Sequence, residues 1–110
     1  MATLPQVPST FTSAIGSRQF QACCEGVTSS LLVEVGQPVQ DAPTVGGLDW
    51  RCPVRFTRGE SIFVRSACGI DSLQALQMAF EVIRAELRRL AAAGCTLSVY
   101  GQPLDLEDSD

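Results

Sequence analysis

The side chains that could do chemistry in this 110-residue chain are five cysteines, eight arginines and a scatter of twelve carboxylates; histidine and lysine are absent. Without imidazole there is no Ser-His or Cys-His pair and no imidazole metal ligand. No two carboxylates are spaced as an acid/base pair, so neither a catalytic residue, a metal site nor a cofactor is expected from the inventory. Cys68 is the one candidate nucleophile. It lies just ahead of a helix start, where the dipole could favour a thiolate, and a small thiol enzyme is the reading that would follow. Its competitor is a packed, inert cysteine. The arginines suggest recognition. Arg51, Arg55 and Arg65, with Phe63, fall where alternation puts them on the outward face of a strand pair, and arginine with aromatics is the usual anchoring set of protein interfaces. On that face Glu34 from a neighbouring strand would answer the arginines. The other charged candidate is the acidic end, Asp105, Glu107, Asp108 and Asp110, suited to a basic partner.

The elements that position these residues are organised around residues 70–94. Leu73, Leu76, Phe80, Ile83, Leu87 and Leu90 recur at spacings of three and four and line one helical face. Asp71 is placed as N-cap with Gln74 three residues on, and Gly94 closes the helix. Met78, Ala85 and Ala92 lie off the main stripe, which points to a homodimer or a flanking segment covering Met78.

Before the helix the pattern alternates. Residues 18–24 and 27–35 read as strands joined by a Glu25-Gly26 turn, setting Phe20 opposite Leu31 and Cys24 opposite Val27. Residues 36–47, with Pro38, Pro43 and a Gly pair, read as a long loop. Trp50, Cys52, Val54 and Phe56 share one face of a strand over 50–56. A three-residue turn, Thr57-Arg58-Gly59, would set Val54 opposite Ile62, Cys52 opposite Val64 and Arg51 opposite Arg65. After the helix, residues 96–100 form a short strand with Leu97 and Val99 inward. The expected fold is therefore α+β: a four- or five-stranded, mainly antiparallel sheet with one long helix, in the C-terminal half, packed on one face. A flexible arm (1–16), one domain (17–104) and an acidic tail (105–110) complete the division.

The net charge of −4 sits in the last six residues, leaving the rest formally neutral, which argues against a general nucleic-acid binder. No stretch is apolar enough for a membrane span, and the N-terminus has no signal-peptide pattern. Five cysteines, two of them adjacent, suggest reduced thiols and a cytoplasmic protein. The arginine-only basic set, with much Ala, Gly and Val, points to a high-GC bacterial genome.

Two resemblances enter at Gly69-Ile70-Asp71-Ser72-Leu73-Gln74-Ala75-Leu76. A G-x-D-S-L run of this kind resembles the site of acyl and peptidyl carrier proteins, which implies phosphopantetheine on Ser72. It covers about eight residues, and the strand-like alternation upstream differs from the carriers' helical bundle. More broadly, Trp50, Cys52 and Pro53 as W-x-C-P, then Gly69, Asp71, Ser72, Gln74, Ala75 and Leu76, resemble a family of uncharacterised small bacterial proteins over about residues 18–94. That family lends a fold expectation and no catalytic residue. The function expected is non-catalytic binding of another protein, as in a toxin-neutralising immunity or inhibitor protein. The alternatives are the carrier at Ser72 and the thiol enzyme at Cys68.

Overall fold

The computed structural model describes residues 6–106. Seven strands make one antiparallel sheet, β1 (Ala14–Cys24), β2 (Val27–Gly36), β3 (Val39–Thr44), β4 (Gly47–Arg58), β5 (Ser61–Gly69), β6 (Cys95–Val99) and β7 (Gln102–Pro103). The helix α1 (Ser72–Ala92) packs on one face of it. The class is α+β as expected, with more strands. β4 is the hub: β5 runs along one edge, while β2 and β3 follow one another along the other. β1 continues the sheet from β2, and β6 and β7 follow it.

The β1–β2 hairpin holds the register read from its alternation, Phe20 with Leu31 and Cys24 with Val27. Inward residues Phe20, Ala22, Leu31, Val33, Val54 and Phe56 are buried. The expected 36–47 loop is instead largely β3. This strand contains Asp41 and Pro43, poor strand formers, and pairs with β4 through an irregular register. Tertiary contacts, described below, hold it in place.

The β4–β5 register differs from expectation, with large consequences. The turn has two residues, Gly59 at φ 61° followed by Glu60, between the paired Arg58 and Ser61. A glycine in the first central position suits a two-residue turn as well as it suits a bulge, so turn chemistry alone did not distinguish them. The change of register is odd in residue count, so it turns β5 over. Phe63 stacks on Phe56, ring centroids 5.0 Å apart, on the helix side, and Ala67 joins the core while Ile62 is exposed. Arg51 lies opposite Cys68, not Arg65.

Both helix ends follow the sequence. Asp71 Oδ1 accepts from the Gln74 backbone N–H at 2.7 Å, and Gln74 Oε1 accepts from the Ile70 N–H at 2.7 Å. The buried face is rotated from the expected one. Ala75 and Ala79 are fully buried, and Leu87 and Leu90 are buried in the C-terminal half, but Leu73 is 75% and Phe80 56% exposed. Small residues let the helix backbone press against the sheet. At Gly69 a Cβ would come within 2.5 Å of the Ala75 amide nitrogen, so only glycine admits this contact. The bulky stripe is thereby turned to one side. Met78 is exposed, with no segment of the described chain over it.

The residues before β1 are tied down. Thr10 O accepts from Arg51 Nη1 at 2.7 Å, Pro8 O accepts from Ser66 Oγ at 3.2 Å, and Thr12 Oγ1 donates to Gln37 O at 2.8 Å. This strap crosses the sheet face opposite α1. Beneath it Gly36 has no room for a side chain against Thr12, Phe11 and Pro53. The expected arm at 1–16 is thus a strap and the start of a strand where it is described; residues 1–5 lie outside the described residues.

Candidate binding groove

Four residues expected to share an outward face are divided between two. Arg51 and Arg55 point to the strap side, Phe63 and Arg65 to the helix side. Arg51 is buried and held at all three nitrogens: Nε and Nη2 grip Asp41, and Nη1 meets Thr10 O and, at 3.4 Å, Ser66 Oγ. Arg55 pairs with Glu34 directly across the ladder, Nε to Oε1 at 2.8 Å and Nη2 to Oε2 at 3.1 Å, and lies 4.1 Å over the Phe11 ring. The Glu34 hydrogen bond pushes the Arg55 pKa further up. Arg65 Nε is 3.8 Å from Glu86, a buried carboxylate that Arg89 also holds at 2.6 Å. These arginines mostly answer the protein's own carboxylates.

The other candidates can be placed as well. Partial desolvation pushes the Cys68 thiol up, with Asp49 and Asp41 adding to this and Arg51 opposing it. A dipole-activated thiolate is not what that environment makes. Ser72 opens the helix within an α+β sheet fold rather than a helical bundle. Of the acidic tail, Asp105 is described and exposed, but Leu104 and Leu106 on either side pack against the core; Glu107, Asp108 and Asp110 lie outside the described residues. No group of three or more His, Cys, Asp or Glu among the described residues could hold a metal ion. No helix among them is long and apolar enough to cross a membrane.

The cysteines depart from the reduced expectation. Cys24 and Cys95 face one another across β1 and β6 and form a disulfide, with Cα atoms 4.2 Å apart. Their separation of 71 residues hides the pairing from any local motif. Cys23, Cys52 and Cys68 remain free, and burial pushes the Cys52 thiol up.

The feature that sequence reasoning missed lies beside the helix. Since α1 leans onto β4 and β5, it leaves uncovered a corner of the sheet formed by the first half of β1 and the last part of β2. The result is a groove of about 350 Å³. Leu76, Phe80 and Ile83 form its helical wall, and Ile15, Phe20, Val33 and Val35 form its sheet wall. Among the described residues Arg18 is the only charged one lining it. It sits opposite Val33 on the helix side of the sheet, and among the described residues no ion pair or hydrogen bond engages it. A half-open apolar cleft of this size with a convergent polar group has the form of a binding site. The sequence carries no direct signal for it, because the apolar stripe of the helix reads as a buried face.

No curated protein and no solved structure matches the chain. Residues 16–103, from the groove-lining start of β1 to the end of β7, match the family described as a domain of unknown function (DUF6968). The chain belongs to that family.

Proposed function

We propose that the protein is a non-catalytic module that binds another protein, and that a bacterial immunity or inhibitor protein is the concrete form of this role. The open apolar groove between α1 and β1 carries the reading. Phe80 and Ile15 stay more than half exposed there, 56% and 54%, side by side with the buried Phe20 and Val33. Covering such a surface recovers roughly 25 cal/mol per Å² of apolar area, which a partner can use and water cannot. The arginines first suspected of anchoring a partner are largely committed to Asp41, Glu34 and Glu86, which favours the groove as the binding surface in this reading.

Affinity purification from the native host, read by quantitative mass spectrometry, tests this with two baits. The wild-type chain should retain a specific protein that the Phe80→Asp variant loses, while both melt at similar temperatures because Phe80 is outside the packed core. Recovery of the same proteins by both baits would remove the groove from the function.

A further inference from the structure

β1 borders the groove and is only half paired. β2 accompanies it over its whole length, but β6 meets it only from Gln21 to Cys24. Among the described residues no strand lies beyond the Ala14–Phe20 part on that side.

The direction of its backbone groups follows from the hairpin. Glu25 and Gly26, with φ of 54° and 80°, form a two-residue turn, which makes Cys24 and Val27 a hydrogen-bonded pair. Antiparallel alternation then turns the N–H and C=O of Cys23 and Gln21 toward β6. The 4.2 Å Cα separation of Cys24 and Cys95 agrees, being that of a non-hydrogen-bonded pair on the β6 side. The ladder keeps its register back to Gly16. The same parity therefore aims the N–H and C=O of Ser17 and Gln19 out of the sheet at the rim of the groove. Both residues are exposed. Between them Arg18 projects from the apolar side.

We infer that this edge takes up an extended segment of the partner protein as an added strand, its alternate apolar side chains entering the groove and a carboxylate among them meeting Arg18. The inference rests on the protein-binding reading above and adds to it the mode of docking and the chemistry of the partner. Three features select this occupant together. The backbone groups of Ser17 and Gln19 call for a strand, which supplies donors and acceptors at the matching spacing. The walls call for apolar side chains on one face of it. The unpaired guanidinium calls for negative charge. A docked helix or an acyl carboxylate would leave the strand edge unmet. A second copy pairing β1 with β1 about a two-fold axis would bring two Arg18 side chains onto one face of the joint sheet.

Selection of random dodecapeptides displayed on phage against the full chain provides the probe. Selected sequences should alternate apolar residues around an Asp or Glu. One such peptide is then titrated calorimetrically against wild type and Arg18→Glu, in its parent form, with its acid replaced by Lys, and with N-methyl groups on alternate backbone amides. Arg18→Glu should weaken the parent peptide about tenfold or more and the Lys form should recover the loss. N-methylation at one parity should abolish binding, and at the other it should be tolerated. Because N-methylation leaves the protein untouched, a loss cannot be misfolding. Selected sequences with helical apolar spacing, indifferent to N-methylation, would overturn the added strand and leave the protein-binding reading standing. Failure to select any peptide, or a dimer in ultracentrifugation that no selected peptide displaces, would overturn the inference, while the host purification judges the broader reading by itself.

Discussion

The guanidinium of Arg51 meets the carboxylate of Asp41 through two hydrogen bonds, Nε to Oδ1 at 2.8 Å and Nη2 to Oδ2 at 3.0 Å. Arg51 is among the largest fully buried side chains, whereas the Asp41 side chain keeps 34% of its exposure. Removing the acid would strand a buried cation. Asp41→Ala should cost about 2–3 kcal/mol, the low side of a broken buried pair because water reaches the carboxylate position. Urea melts should also show that Arg51→Met combined with Asp41→Leu loses less than Asp41→Ala alone. A single-variant loss under about 0.5 kcal/mol would mean that Thr10 and Ser66 suffice for Arg51.

The helix start offers a sharper comparison. Asp71 caps through Gln74 N–H, while Ser72 is the first residue inside the helix. Asp71→Ala should cost about 1 kcal/mol and Ser72→Ala a few tenths. A larger effect at Ser72 in the same melts would contradict the cap.

The Cys24–Cys95 disulfide closes a span of 71 residues. In the chain-entropy account such a loop contributes about 4 kcal/mol by restricting the unfolded chain. Cys24→Ala with Cys95→Ala should therefore lower the urea midpoint markedly, and reductant should do so for wild type but not for the variant. Alkylation of denatured, unreduced protein should label Cys23, Cys52 and Cys68; labelling at Cys24 or Cys95 would show that the bond does not form.

For Cys68 the sign is set by desolvation. A thiol pushed up is protonated over more of the pH range, so less thiolate is present near pH 7 than for a free cysteine. Its iodoacetamide rate in native protein should be low at neutral pH and inflect above about 8.5, the value of a free thiol. An inflection below that would revive the nucleophile reading.

Much of the fold was legible where local rules decide it. The helix, its cap at Asp71 and the hairpin at Glu25-Gly26 are each specified by residues within a few positions of one another. Phe63 and Arg65 were misplaced because Gly59 serves two turn types equally, and an odd shift in register exchanges the faces of β5. The strand at 39–44 was hidden because Asp41 and Pro43 disfavour strands, and the salt bridge that secures Asp41 belongs to Arg51, ten residues on. The groove could not be read from the helix pattern either. Six large apolar residues in a row predict burial, and only the depth to which Ala75 and Ala79 settle on the sheet shows that Leu73 and Phe80 are left over.

The strap over the outer face bears on how the chain can be made. Its carbonyls at Pro8 and Thr10 bind Ser66 and Arg51, residues 58 and 41 positions later. During synthesis this segment therefore has only water as its partner until the β4–β5 hairpin has emerged and folded. β1 waits longer still, since the strand that covers the Gln21–Cys24 part of its edge is not made until β6. β2 can pair with β1 as soon as it is made, but the other edge of β1 and the strap ahead of it stay uncovered until these later elements exist, so the nascent chain is most open to pairing with other chains at the very strand that keeps an open edge when folded.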